Sequence, residues 1–149
     1  MIEQSGVPQD STTTRLYLAV GRLNRALRRD VRDATIGHGG LSALATLIEQ
    51  GPQRAGALAE IEGITAPAMT RIVNSLVELG YVERTPDPAD GRAQLVAATA
   101  AGTDLVQHKR AVRLRALQDR LDRLSDDERA TVTTALAALE DLTSGPNSD

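Results

Sequence analysis

The chain has 149 residues, of which 41% are hydrophobic and 25% charged, and this composition fits a single folded domain. It contains no cysteine, which excludes disulfides and thiol-based redox sensing, and its two histidines stand in no zinc-binding spacing. The net charge of −3 and the 1% aromatic content argue against a strongly basic nucleic-acid binder and against a stacking platform for single strands. The sequence shows no signal peptide and no membrane-spanning stretch, so we expect a cytoplasmic protein with no membrane partner, cofactor or metal.

Helical periodicity covers the first part of the chain. Apolar residues recur at steps of three or four, which predicts a first helix from about Ser11 to Asp33. Glycines at 37, 39 and 40 then interrupt the pattern, and a second, shorter helix is expected from Leu41 to Gln50.

Two further helices are predicted close together, from Arg54 to Ile61 and from Thr65 to Leu79. Thr65 is a favourable N-cap, and Pro67 falls in the first turn, where its missing N–H does no harm. Gly80 provides a C-terminal stop. A short helix, a tight turn and a second helix together form a candidate helix-turn-helix.

A β-hairpin is predicted next, with short strands at 81–84 and 94–97. Its tip, Asp87 to Arg92, is rich in turn residues and should project from the domain. We expect Asp90 to pair with Arg92 and to orient the guanidinium for a narrow minor groove of DNA. The alternative interpretation is an ordinary polar turn, because Asp, Pro and Gly are the usual turn residues.

Two more helices follow the hairpin. Thr99 is expected to cap the first, and the capping box Ser125-Asp126-Asp127-Glu128 begins the second. The predicted fold is mainly α with a small β-hairpin wing: a winged helix-turn-helix lobe at 41–99, with its wing at 84–94, flanked by dimerisation helices at 11–36 and 103–143. The apolar stripes of the flanking helices exceed what one such lobe can cover, so we expect a two-fold homodimer.

The helix from Thr65 to Leu79 has two distinct faces. An apolar stripe with the spacing i, i+3, i+4, i+7 predicts its buried face, formed by Met69, Ile72, Val73 and Leu76. The opposite face carries mostly short polar side chains that could reach bases or phosphates in a major groove, namely Pro67, Thr70, Arg71 and Asn74. A polar stripe alone is common to surface helices, but a hairpin with an arginine at its tip directly after a helix-turn-helix favours DNA binding.

Several short motifs occur in order between Gly51 and Gly102: Leu58-Ala59, Met69-Thr70-Arg71, Leu79-Gly80-Tyr81-Val82-Glu83-Arg84, Asp90-x-Arg92 and Thr99-x-x-Gly102. Together they resemble the multiple-antibiotic-resistance regulator (MarR) family of bacterial winged helix-turn-helix transcription factors. The resemblance implies a single MarR-like domain over 1–149 and a homodimer that binds a pseudo-palindromic operator in double-stranded DNA. It also implies a repressor that a small-molecule effector releases from the operator.

The resemblance also implies roles for single residues. Arg71 corresponds to a major-groove or phosphate contact, and Arg92 corresponds to a minor-groove arginine that Asp90 positions. The full set of predicted DNA-binding residues is Thr65, Pro67, Thr70, Arg71, Asn74, Arg84, Asp90 and Arg92.

The predicted winged lobe is not basic. Residues 54–96 contain four arginines and six acidic residues, a net charge of −2. DNA binding should therefore depend on a few well-placed arginines and on backbone amides at helix N-termini. A winged-helix protein-interaction module without specific DNA binding is the alternative function. An enzyme is not expected, because the sequence has no nucleophile with a base, no paired carboxylates on a helical face and no phosphate-binding glycine loop.

Overall fold

The computed structural model describes residues 11–29 and 36–143 of the chain. These ranges contain α1 (Thr12–Arg29), α2 (His38–Gln50), α3 (Ala55–Glu62), α4 (Ala66–Glu78), β1 (Val82–Asp87), β2 (Asp90–Ala98), α5 (Ala100–Leu121) and α6 (Asp126–Asp141). The predicted fold class, mainly helical with a two-stranded wing, is confirmed. The predicted end of the first helix, Asp33, lies outside the described residues.

The described residues divide into two compact units. The central unit contains 28–29 and 36–112, and therefore α2, α3, α4, both strands and the first half of α5. The terminal unit contains 11–27 and 113–143, and therefore most of α1, the second half of α5 and all of α6.

The central unit is built around one hydrophobic core. Its ten buried apolar residues come from three helices and both strands: Ala43, Leu44, Leu47, Leu58, Ala59, Met69, Val73, Leu76, Val82 and Val96. The predicted inward stripe of α4 is part of this core, and Ile72 packs against it from a partly buried position. Since full burial of one such large side chain contributes about 1.5–3 kcal/mol, the stripe fixes which face of α4 points outward.

The predicted helix-turn-helix is present as α3 and α4. Gly63 ends α3 in the left-handed conformation, with a φ of 65°, which glycine adopts at little cost. The hydroxyl oxygen of Thr65 then accepts a hydrogen bond from the N–H of Ala68 at 3.4 Å, so the predicted N-cap of α4 is confirmed. Arg54 lies at the N-cap of α3, one residue outside the helix in which the sequence placed it.

The second helix begins earlier than predicted, at His38 instead of Leu41, because Gly39 and Gly40 lie inside its first turn. A Cβ atom at Gly39 would lie 3.1 Å from Cδ1 of Ile72, and one at Gly40 would lie 3.6 Å from Cδ2 of Leu76. The two glycines therefore let this turn of α2 pack closely against α4, and the packing outweighs their low helix propensity.

The wing is a longer and tighter hairpin than the sequence indicated. The strands pair antiparallel from Val82 opposite Ala98 to Asp87 opposite Asp90, with a register shift between Pro86 and Asp87. Two residues, Pro88 and Ala89, separate the strands, whereas a six-residue tip was predicted. Proline, aspartate and glycine are depleted in strands, so their presence near the tip predicted a loop at positions where the strands in fact pair.

The start of α5 is held against the end of α4 by Thr99. The hydroxyl group of Thr99 donates to the carbonyl of Gly80 at 2.7 Å and accepts from the N–H of Gly102 at 3.1 Å, which confirms the predicted cap. Gly102 is buried, and a Cβ atom there would overlap the carbonyl oxygen of Tyr81 and lie 3.0 Å from Cδ1 of Leu44. This close approach requires a glycine.

The terminal unit contains the predicted capping box at the start of α6. The N–H of Glu128 donates to the hydroxyl oxygen of Ser125 at 3.3 Å, and the N–H of Ser125 donates to the carboxylate of Glu128 at 2.9 Å. The hydroxyl of Ser125 also donates to Oε2 of Glu128, at 3.0 Å. The two hydrogen bonds that this carboxylate accepts from Ser125, first from the backbone N–H and next from the hydroxyl, lower the pKa of the Glu128 carboxyl group.

Large apolar side chains remain exposed on the terminal unit, and neither α1 nor α6 has a buried residue. We call these nine side chains the terminal apolar surface: Tyr17, Leu18, Val20, Leu23, Leu114, Val132, Leu136, Leu139 and Leu142. Among the described helices, none combines the length and the apolar character that crossing a membrane requires.

Candidate nucleic-acid interface

The outer face of α4 carries four of the predicted DNA-binding residues. All four are exposed, because the opposite stripe of the helix is buried in the core: Pro67, Thr70, Arg71 and Asn74. Thr65, at the N-cap, is exposed at the end of the helix where the backbone N–H groups carry partial positive charge. The face therefore presents hydrogen-bonding groups on a short helix whose opposite side is buried in the core.

The polar side chains on this face differ in whether they already form hydrogen bonds within the protein. The hydroxyl of Thr70 donates to the carbonyl of Ala66 at 3.0 Å, a bond within the helix that leaves its methyl group and oxygen lone pairs exposed. Within the described ranges, Arg71 forms no hydrogen bond or ion pair. All five N–H donors of its guanidinium group are therefore ready for a ligand.

Asn74 contacts the wing. Its Oδ1 accepts a hydrogen bond of 2.6 Å from Nη2 of Arg84, which lies on β1. Both side chains were predicted to belong to the interface, but the bond between them was not predicted. The two residues are ten positions apart in sequence, and only the packing of β1 beside α4 brings them together.

Asp90 and Arg92 are both exposed near the tip of the wing, but they do not form the expected ion pair. Instead, Oδ1 of Asp90 accepts the backbone N–H of Arg92 at 3.1 Å. An aspartate favours this local bond because its short side chain folds back onto the backbone two residues ahead. The guanidinium of Arg92 has no partner in the part of the chain that the structure describes.

An unpredicted ion pair holds the wing near its turn. Arg54, before α3, directs Nε and Nη2 at Oδ2 of Asp87, with distances of 2.7 and 2.6 Å. The other carboxylate oxygen of Asp87 accepts the N–H of Ala89 at 2.9 Å. Asp87 is only 8% exposed, so this carboxylate is one of the few buried charged groups in the central unit.

These contacts shift the titration of Asp87. The hydrogen bond from Ala89 and, next, that from Arg54 hold the pKa of the Asp87 carboxyl below its ordinary value of 3.8, against the opposing effect of burial. No local sequence signal predicts the pair, because 33 positions separate its members. A polar residue beside a proline in a turn indicates only the turn itself.

A small cavity lies beside α4 within the central unit. Its volume is about 280 Å³, and its walls come from the start of α2 and from α4: Ile36, Gly37, Gly39, Gly40, Arg71, Ile72, Ser75 and Leu76. Arg71 thus belongs both to the outer face of α4 and to the lining of this cavity. The described residues hold no group of three or more side chains suited to binding a metal ion.

Comparison with known proteins identifies a matching family model and a similar transcriptional regulator. Residues 38–93 match the model of the MarR family. An uncharacterised HTH-type transcriptional regulator of Mycobacterium bovis is 41% identical over 120 residues, which cover 80% of this chain and 84% of that protein.

Two solved structures have similar folds. The structure of RV1404 from Mycobacterium tuberculosis has a TM-score of 0.79 at 25% identity, covering 92% of this chain and 95% of that one. Wild-type MarR from E. coli, in its apo form, has a TM-score of 0.74 at 23% identity, covering 87% of this chain and 96% of that one. The second match supports the fold alone.

Proposed function

This chain belongs to the MarR family of helix-turn-helix transcriptional regulators, and from that premise we propose that it is a homodimeric repressor of a pseudo-palindromic DNA operator. As a member of this family it is a DNA-binding regulator and not an enzyme. One observation carries the proposal. The exposed face of α4 and the wing tip each present an arginine, Arg71 and Arg92, whose guanidinium is unengaged in the described residues.

The proposed contacts divide between two grooves. The short side chains on the outer face of α4 allow the helix to enter a major groove, where Arg71 reaches a base edge or a phosphate. Arg92 enters the adjacent minor groove from the wing, and a narrow groove with strong negative potential favours it. The other proposed interface residues are Thr65, Pro67, Thr70, Asn74, Arg84 and Asp90.

The terminal apolar surface supports the proposed dimer. Its nine large side chains lie on α1, on α5, and on α6 and its C-cap Leu142. Tyr17 and Leu142 are 78% and 69% exposed in the single chain. Monomeric proteins rarely expose so many large apolar residues on one unit, because burying them is favourable. A two-fold dimer buries the same surface of both copies and supplies one α4 helix to each half-site of the operator.

The cavity beside α4 supports the proposed release by an effector. At about 280 Å³ it lies near the lower end of the range for small-molecule pockets, and most of its walls are apolar or glycine. An occupant of this cavity would lie against Arg71 and would compete with DNA for that side chain. A ligand with such a difference in affinity between the free and DNA-bound forms would shift the binding equilibrium.

Selection of bound genomic DNA fragments tests the proposed function. The wild-type protein is compared with Arg92→Ala and with Arg123→Ala, a control that removes an exposed arginine between α5 and α6. At about 0.1 M salt, the wild type and the control should enrich the same two-fold-symmetric site, and Arg92→Ala should enrich it less. Failure of the wild type to enrich any site would favour the alternative function, a protein-interaction module.

A further inference from the structure

The hydrogen bond between Asn74 and Arg84 joins the proposed recognition helix to the wing. A guanidinium group has only N–H donors, so the atom of Asn74 that meets Nη2 of Arg84 at 2.6 Å must be the carbonyl oxygen. The usual ambiguity in the orientation of an asparagine amide is therefore absent here. Because the donor is charged, the bond is of the stronger, charge-assisted type.

The backbone on both sides of this bond is fixed by the core. Asn74 follows Val73, which is fully buried, and Arg84 lies opposite Val96, which is 2% exposed, in the paired strands. Neither main chain can move toward or away from the other without disturbing that packing. The hydrogen bond therefore restricts the rotamers of Arg84 and not the position of the strand.

This bond limits what Asn74 can do on DNA. An asparagine that reads adenine uses both ends of its amide, accepting from the N6 amino group through Oδ1 and donating to N7 through Nδ2. Here Oδ1 is engaged with a charged donor, which adenine would have to displace or share. Thr70 has its hydroxyl proton committed to Ala66, so Arg71 has the only fully unengaged hydrogen-bonding side chain among these three residues of α4.

The same bond orients Arg84 and leaves most of its N–H donors available. One N–H of its guanidinium group bonds to Asn74, and the group retains four further donors in a planar arrangement. A planar, pre-oriented guanidinium suits the two oxygens of a DNA phosphate. Arg84 is exposed and lies where the helix meets the wing, between the two proposed groove contacts along the chain.

We propose that Asn74 is a positioning residue, which holds Arg84 for a phosphate contact and does not itself read a base. Base discrimination by α4 then depends on Arg71. This role extends the proposed DNA-binding function and rests on it.

A double-mutant cycle on the selected operator tests this role, using Asn74→Ala, Arg84→Ala and the double variant. Asn74→Ala should weaken binding on the order of threefold to tenfold at every sequence, with the base preferences of the wild type unchanged. Arg84→Ala should reduce the slope of log affinity against log salt by about 1. In the Arg84→Ala background, Asn74→Ala should add less than about a twofold effect, since the bond it removes is already absent.

Two further variants separate positioning from a general effect on the fold. Asn74→Asp keeps an oxygen acceptor, so Arg84→Ala should cost this variant at least as much affinity as it costs the wild type. Arg71→Ala should change base preference at one position of each half-site. A loss of affinity caused by misfolding would lower the melting temperature and would persist in the Arg84→Ala background.

Either of two results would overturn the role of Asn74 while leaving the proposed function intact. In the first, Asn74→Ala relaxes the preference at a single base pair. In the second, Asn74→Ala lowers the affinity by the same factor whether Arg84 is present or replaced by alanine. If the wild type selects no operator at all, the proposed function and the role of Asn74 fail together.

Discussion

The carboxylate of Asp87 accepts hydrogen bonds from two separate parts of the central unit, the side chain of Arg54 before α3 and the backbone of Ala89 in the turn. At the residue scale this group sets how the wing is attached to the helix-turn-helix. Asp87 is nearly buried while Arg54 is half-exposed, so removing the cation would leave a carboxylate without its charged partner.

The ionisation of Asp87 should change the thermal stability of the fold in the acid pH range. Its pKa is lowered in the folded chain, so ionised Asp87 stabilises the fold above its ordinary pKa of 3.8, and this contribution is lost as pH falls through the lowered value. Asp87→Asn should therefore melt below the wild type at neutral pH, and the difference should shrink at the acid end. Melting temperatures between about pH 3 and pH 7 measure this. Asp119→Asn, on an exposed face of α5, is the control, and a pH-independent difference for Asp87→Asn would contradict the expectation.

Asp90 offers a second prediction about the wing. Because its carboxylate bonds to the backbone N–H of Arg92, Asp90→Asn keeps the acceptor and removes one negative charge from the proposed DNA-facing tip. We expect this variant to bind the operator as tightly as the wild type or up to about threefold more tightly at low salt. Fluorescence anisotropy with a labelled operator measures the difference. Weaker binding would instead indicate that the charge of Asp90 orients Arg92 in the complex.

At the scale of elements, the junction between β1 and α5 depends on one position. Gly102→Ala places a Cβ atom on the carbonyl oxygen of Tyr81, so α5 or the backbone just before β1 must shift. Such overpacking typically costs about 1–3 kcal/mol. The matched control is Gly56→Ala in α3, where nothing lies within 4 Å of the added atom and alanine should stabilise by about 0.5–1 kcal/mol. Urea unfolding compares the two, and a Gly102→Ala variant as stable as the control would refute the close approach.

The elements also show what the sequence could predict. Local signals worked: the stripe of α4, the N-caps Thr65 and Thr99 and the capping box at Ser125 each depend on residues within a few positions of one another. The predicted start of α2 was wrong because Gly39 lies inside the helix, where its lack of a side chain lets α2 pack against α4.

Contacts within the candidate interface were harder to predict. The Arg54–Asp87 and Asn74–Arg84 bonds join residues that only tertiary packing brings together. The Asp90–Arg92 pair was expected from spacing, but the local backbone bond formed instead. The sequence thus indicated which residues face outward, but not how they engage one another.

In the proposed dimer of the whole molecule, the terminal apolar surface forms the contact between the two copies. Leu136→Glu places a charge on α6 within this surface, and Ile61→Glu is a matched control on α3, since the two residues are 47% and 45% exposed. Leu136→Glu should weaken dimerisation by more than about tenfold, because a charge buried at an interface is costly. Sedimentation velocity measures the change. A wild type that is monomeric at micromolar concentration would contradict the dimer itself.

The pairing of Gln53 with β2 has a consequence for how the wing meets other chains. Gln53 donates to and accepts from the backbone of Val96, at 3.0 and 2.7 Å, on the side of β2 that faces away from β1. A two-stranded ribbon has two open edges, each able to template a strand from a neighbouring molecule. Gln53, two residues before α3, thus closes the outer edge of β2 at its base, where an open apolar strand would be able to pair with another chain.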